Sequence, residues 1–199
     1  MTRHLRLTFL AATAALAVAA CAPENPASEA TTTPVTTPDS STTVVAEADG
    51  GTKNYVEKAA IGDMFEIEAS KIALERSKVQ PVKDFAQMMI DAHTATSKEM
   101  GGLASTAGVM APTALDNDHT AKLDELRNAS LQDFDDKYID QQTAAHSAAL
   151  DLHKDYANNG KDAALQAFAA KTAPAVDAHL VAVKALDKSP ADDVTKPTN

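Results

Sequence analysis

The sequence predicts an all-α protein, an antiparallel four-helix bundle with a short extra helix between the second and third long helices. Three observations carry that reading. From Lys53 onward apolar residues recur at the three- and four-residue spacing of a helix face, and no segment shows the alternation of a half-buried strand. Breakers at Pro81, across 106–118 and at Asn158-Asn159-Gly160 cut this region into long segments with short connections, which favours antiparallel neighbours. The chain has no Trp and only 4% aromatic residues, so its core must be built from Ala, Leu, Ile, Val and Met, a composition suited to close helix packing.

The bundle is expected over 53–188. Its first helix, about 53–78, gathers Val56, Ala60, Ile61, Met64, Ile67, Ile72 and Leu74 on one broad face. The second opens with Pro81 in its first turn and gathers Val82, Phe85, Met89, Thr96, Met100 and Leu103, with Gly101-Gly102 weakening its end. A loop, "TAGVMAPTALDND", leads into the short helix carrying Leu123 and Leu126. Ser130 and Asp133 have the spacing of a capping box opening the third long helix, whose face is Leu131, Phe134, Tyr138, Ala145, Ala149, Leu152 and Tyr156. After the stop at Gly160, Asp162 can cap the fourth, with Leu165, Phe168, Thr172, Val176, Val183 and Leu186 inward. Pro174 inside it removes a hydrogen bond to the Ala170 carbonyl and predicts a kink one turn before His179.

Ahead of the bundle lies an address. Arg3, His4 and Arg6 precede an apolar run, Leu5–Ala20, too short to span a bilayer comfortably, so residues 1–20 read as an export signal. Val18-Ala19-Ala20-Cys21 resembles the lipobox of bacterial lipoproteins, which makes Cys21, the sole cysteine, a lipid anchor and not a nucleophile. Residues 21–52 then form a Thr/Ser/Pro-rich disordered tether with a span of roughly 30 Å, and 189–199 a disordered tail. The expected location is the bacterial cell envelope, periplasm-facing and at the outer membrane, since Ala22 offers no acidic retention signal.

Charge and motifs exclude much. The formal charge is −10, and loss of Arg3 and Arg6 with the signal makes it more negative, which disfavours nucleic acid and leaves lipid on Cys21 as the route to a membrane. One cysteine allows no internal disulfide. No "GxSxG", "HExxH", "CxxC" or phosphate-cradling loop occurs, so no catalytic residue is assigned, and the six methionines read as core filling.

A few polar residues do not belong to a solvated face. On the helical wheel Glu68 lies about 40° from the middle of the first helix's apolar face, whereas Glu66 points nearly opposite. His93 lies near the line of Phe85, Met89 and Thr96, with Asp91 outward, and His179 sits between Val176 and Val183. Counted from the turn near Pro81, Glu68 is about 12 residues back and His93 about 13 forward, so at about 1.5 Å per residue they share a level. Counted from Gly160, His146 and His179 are mismatched by about 6 Å. Asp135, Gln142, His146 and His153 form a polar stripe on the third long helix. Carboxylate and imidazole groups converging from separate helices are what a metal site needs, and Glu68, His93, His146 and His179 are the candidate ligands of a mononuclear one. A carboxylate-bridged di-iron site is excluded, because Ile90, Thr143 and Val176 stand where a Glu three residues before each His would be required. The same residues also suit a satisfied polar core that fixes helix register.

Over about 53–188 the pieces "AAIGDMFEIEASKIALERS", "VKDFAQMMIDAHT", "FDDKYIDQQTAAHSAALDL" and "FAAKTAPAVDAHL" resemble the DUF4142 family of bacterial envelope proteins. The resemblance implies a ferritin-like helical bundle and an exported location, sets Glu66, Glu68, His93, His146 and His179 within the family's recurrent motifs, and implies no reaction. The expectation is therefore a non-enzymatic envelope lipoprotein with an interaction or stress-related role, attached to the membrane through Cys21 and open to an envelope protein partner, with no cofactor. The alternative is a metal-binding or metal-oxidising ferritin-like protein holding iron or another transition metal on Glu68, His93, His146 and His179.

Overall fold

The computed structural model describes residues 48–187. The signal, Cys21, most of the tether and the tail lie outside them. Five helices make up this region, and there is no strand among the described residues: α1 (Gly50–Arg76), α2 (Gln80–Thr106), α3 (Asn117–Asn128), α4 (Phe134–Asn159) and α5 (Ala163–Leu186).

Each start and stop has a local cause. Asp49 caps α1 by accepting from the Thr52 amide, Asp116 caps α3 by accepting from the His119 amide, and Asp162 caps α5 through Leu165, each satisfying an amide that the first turn leaves without a carbonyl. Pro81 stands in the first turn of α2, where its missing N–H costs nothing. The end of α2 is a Schellman motif. Gly108 takes a φ of 71°, its amide bonds to the Ser105 carbonyl, and the Val109 amide reaches back to Ala104 at 2.8 Å. Ser130 does engage Asp133, donating to its carboxylate at 2.6 Å and accepting from its amide at 3.1 Å, but this closes the turn before α4 and not the helix itself. Leu131 in that turn is 67% exposed, so it is not part of the α4 face as its apolar side chain suggested. Helix α5 runs through Pro174 without interruption.

Helices α1 and α2 form one hairpin and α4 and α5 another, and α1 packs on α4 while α2 packs on α5. Cross-helix pairs give the directions. Thr52 meets Tyr156, Tyr55 meets His153 and Ser70 meets Tyr138, so α1 and α4 run oppositely; Lys171 on α5 reaches Glu99 on α2, and His179 lies beside His93, so those two do as well. Helix α3 lies against α1 and α4. It is tied there by Arg76, whose guanidinium donates to the carbonyls of Leu126, Arg127 and Ala129 at the α3 C-terminus, where unpaired carbonyls carry partial negative charge.

Two apolar clusters fill the interior. One contains Phe65, Val82, Phe85, Met89, Leu126, Phe134, Tyr138 and Val183; the other contains Tyr55, Val56, Met100, Leu165 and Phe168. Burying each large side chain contributes about 1.5–3 kcal/mol relative to leaving it exposed. Of the methionines, Met89 and Met100 serve as core filling, whereas Met88 and Met110 are exposed. On α1 and α2 the two clusters are separated by Asp63, Glu66 and His93, which is where the polar site lies.

Candidate metal centre

The charged residue at the centre is Glu66 on α1, not Glu68. Glu66 is 1% exposed, whereas the Glu68 side chain is 44% exposed and accepts from the Lys71 ammonium at 2.7 Å. The level inferred for Glu68 holds for Glu66, two residues away, but two residues turn a helix by about 200° and reverse the face. The wheel failed for a physical reason. The buried side of α1 mixes the apolar Val56, Ile61, Phe65 and Ile72 with small or polar residues, Thr52, Ala59, Glu66, Ala69, Ser70 and Ala73, which carry little or no apolar signal. Its bulkier apolar residues include Phe65, which is covered by His119 and Lys122 of α3, and Met64 and Ile67, which are only half-buried.

Three histidines converge on Glu66 from the other three long helices. His93, His146 and His179 each offer a ring nitrogen, and these nitrogens all lie within 4.8 Å of one another. Their rings meet edge to face, with centroids 5.5–5.8 Å apart. His146 and His179 meet all the same, with ring centroids 5.5 Å apart, and the two further non-helical residues after Gly160 account for only part of the offset of about 6 Å expected from the count.

Hydrogen bonds outside the cluster fix which nitrogen faces inward. His146 Nδ1 lies 2.9 Å from the Gln142 carbonyl, which can only accept, so Nδ1 carries the proton and Nε2 presents a lone pair. His93 Nδ1 donates to Asp63 at 2.8 Å, and Asp63 is itself held by the hydroxyls of Thr96 at 2.9 Å and Ser97 at 3.1 Å. His93 Nε2 is then directed at Glu66 Oε2, in close contact but without the alignment of a hydrogen bond. His146 Nε2 and His179 Nδ1 are buried and have no partner at all. Leaving a buried polar atom unpaired costs about 1–3 kcal/mol, and the nitrogen of His146 that comes near Glu66 Oε1, at 3.5 Å, is the Nδ1 already held by Gln142.

The electrostatics follow from the burial. Burial pushes the Glu66 carboxyl up, but His93, with His146 and His179 behind it, outweighs this and holds it below the usual carboxylate value. Burial pushes the His93 imidazolium down, and Glu66 and Asp63 together overcome it and raise it to about 10. His179 is lowered to about 4 by burial and by the neighbouring His146 and His93. His146 is lowered mainly by burial. Without a metal, then, His93 is the protonated member and neutralises Glu66, while His146 and His179 are neutral bases.

Of the polar stripe on α4, Gln142, His146 and His153 are buried and Asp135 is half-buried. His153 belongs to a different group, with Nδ1 3.0 Å from the Tyr55 hydroxyl. Asp63 was missed from the sequence; its one signal is that it stands three residues before Glu66, on the same side of α1.

A cavity of about 810 Å³ lies between the two hairpins and reaches this group. Glu66, His93 and His179 line it together with Asp63, Thr96 and a run of alanines, whereas His146 does not touch it.

Comparison with curated proteins and with solved structures gives no match. The family model of DUF4142, a domain of unknown function, matches residues 36–186, well over half of the sequence, and the chain belongs to that family.

Proposed function

We propose that this protein is a cell-envelope lipoprotein whose four long helices form a ferritin-like antiparallel bundle that binds one transition-metal ion on Glu66, His93, His146 and His179. The observation that carries the reading is the pair of buried nitrogens of His146 and His179 that make no hydrogen bond, within a cluster where His93, His146 and His179 each bring a ring nitrogen to within 4.8 Å of the others. A polar core evolved only to fix register would satisfy those atoms internally. The supports behind the ring nitrogens favour the same reading, because metal-binding imidazoles characteristically donate their other N–H to a carboxylate or a carbonyl, as His93 does to Asp63 and His146 to Gln142. Three imidazoles and one carboxylate suit iron, zinc or nickel better than magnesium or calcium, which prefer oxygen. No reaction is assigned. Attachment to the membrane rests on the lipobox-like residues before Cys21.

The test is metal content of the purified full-length protein after anaerobic exposure to ferrous or zinc ions and removal of the excess. One ion per chain is expected, lost in Glu66→Gln and in His146→Gln and kept in Glu68→Gln, with circular dichroism confirming that each variant is folded. A folded wild-type chain without stoichiometric metal, or equal loss in Glu68→Gln, overturns the metal site. For the anchor, Cys21→Ser should abolish lipid labelling and release the protein from membranes; unchanged attachment refutes it.

A further inference from the structure

The cavity meets the candidate centre on one side only. Glu66, His93 and His179 border it, while His146 stands behind them, buried and fixed by Gln142. Beyond those three residues the walls combine small apolar side chains, Ala92 from α2, Ala145 and Ala149 from α4, and Ala175 and Val176 from α5, with polar ones that include Asp63, Thr96 and Thr172. Alanine at these positions leaves room that larger side chains would fill. The cavity continues to solvent-exposed residues such as Lys58, Asp151 and Asp155 at its rim, so a path from outside to the donors exists. A purely structural metal site is closed by its protein ligands, whereas a reactive one keeps a position open beside a shaped cavity.

Charge decides what can enter. A divalent ion on this set faces two carboxylates, Glu66 directly and Asp63 through His93. The two negative charges cancel the two positive ones. A second anion would then add an uncompensated negative charge to a cavity whose lining carboxylates, Asp63, Asp151 and Asp155 among them, already outnumber its lysines, Lys58 and Lys122. A neutral donor molecule incurs no such cost.

Resting on the metal-binding reading above, we propose that the bound metal keeps one coordination position open toward the alanine-lined cavity and that this position takes a small neutral molecule in preference to an anion. Binding is ligand addition alone; no bond in the protein breaks and no electron is supplied from elsewhere.

The experiment uses the full-length protein loaded anaerobically with ferrous iron and then exposed to nitric oxide, a neutral diatomic probe, or to azide, an anionic one. Nitric oxide should give the high-spin ferrous–nitrosyl signal in electron paramagnetic resonance, with azide failing to suppress it in competition. Ala145→Leu on α4 and, as an independent variant, Ala92→Leu on α2 should keep the iron and lose most of the nitrosyl signal or form it much more slowly. Iron bound without a nitrosyl signal in the wild type means the position is closed and overturns the proposal. So does azide displacing nitric oxide, or a full, equally fast signal in both folded leucine variants. Failure to bind iron or any other metal is a separate result, seen in the metal analysis before nitric oxide is added, and it removes the metal reading itself.

Discussion

At the scale of single residues, the group around Glu66 makes the metal-free protein sensitive to pH on both sides of the ordinary histidine value. His93 is raised from 6.5 to about 10, so the folded state holds a proton that the unfolded state releases, and its stabilising contribution is complete below about pH 6.5 and lost as pH rises toward 10. His179 is shifted the other way, to about 4, with His146 and His153 also lowered. For these three the unfolded chain takes up protons that the fold refuses, so stability falls as pH drops below about 6.5. Glu66, held below its usual value, adds to the loss only at more acid pH. Urea midpoints of the metal-free protein at about pH 5, 6.5 and 9 should therefore peak at the middle value, and His93→Gln should flatten the alkaline limb while leaving an acid limb. A profile that rises or falls steadily across this range contradicts the assignment of His93 as the protonated member.

At the scale of elements, α2 offers a contrast between two kinds of glycine. Gly101 and Gly102 lie inside the helix on its exposed side, where an added Cβ would meet nothing within 4 Å. Gly102→Ala should stabilise the protein by about 0.5–1 kcal/mol, because alanine loses less backbone freedom on folding and has the higher helix propensity. Gly108, by contrast, takes a φ of 71°, the left-handed conformation that closes the Schellman motif, so Gly108→Ala should destabilise by about 1 kcal/mol. Equal effects of the two substitutions on the thermal midpoint would contradict this account. Sequence periodicity read the elements better than it read the site. The caps at Asp162 and Pro81, the loop before α3 and the stop at Gly160 were legible because each depends on a local chemical rule. Glu66 was illegible because a charged residue on a buried face subtracts from the very hydrophobic pattern used to find that face, and α3 covers Phe65, drawing apolar side chains to a second side of α1. His93 and His179 were legible because the other residues on their faces are apolar enough to mark the direction, and His146 as a member of the polar stripe beside the apolar face of α4.

At the scale of the whole molecule, the four proposed ligands come one from each long helix, so a bound ion joins the α1–α2 hairpin to the α4–α5 hairpin. Within each hairpin a short connection already holds the helices together, with three residues between α1 and α2 and three between α4 and α5. Between the hairpins lies the 810 Å³ cavity, and the polar contacts across them include Thr52 with Tyr156, Tyr55 with His153, Ser70 with Tyr138, Lys171 with Glu99, and His146 with Glu66 at 3.5 Å. An ion that binds only the folded state stabilises it by mass action, by about 2.7 kcal/mol when its free concentration is a hundred times the dissociation constant. For a domain of this size that is a rise of roughly 5–10 °C in thermal midpoint. The rise should shrink as the pH is lowered, since protons compete with the metal for His93 and the other imidazoles. It should also be absent in Glu66→Gln and persist in Glu68→Gln. Because the ion bridges the hairpins, amide hydrogen exchange should slow on metal binding in all four long helices around the ligands, and not in one hairpin alone. Protection confined to α1 and α2 would mean that the metal sits on His93, Glu66 and Asp63 without engaging His146 and His179, and that the hairpins are held together by apolar packing and the remaining polar contacts only.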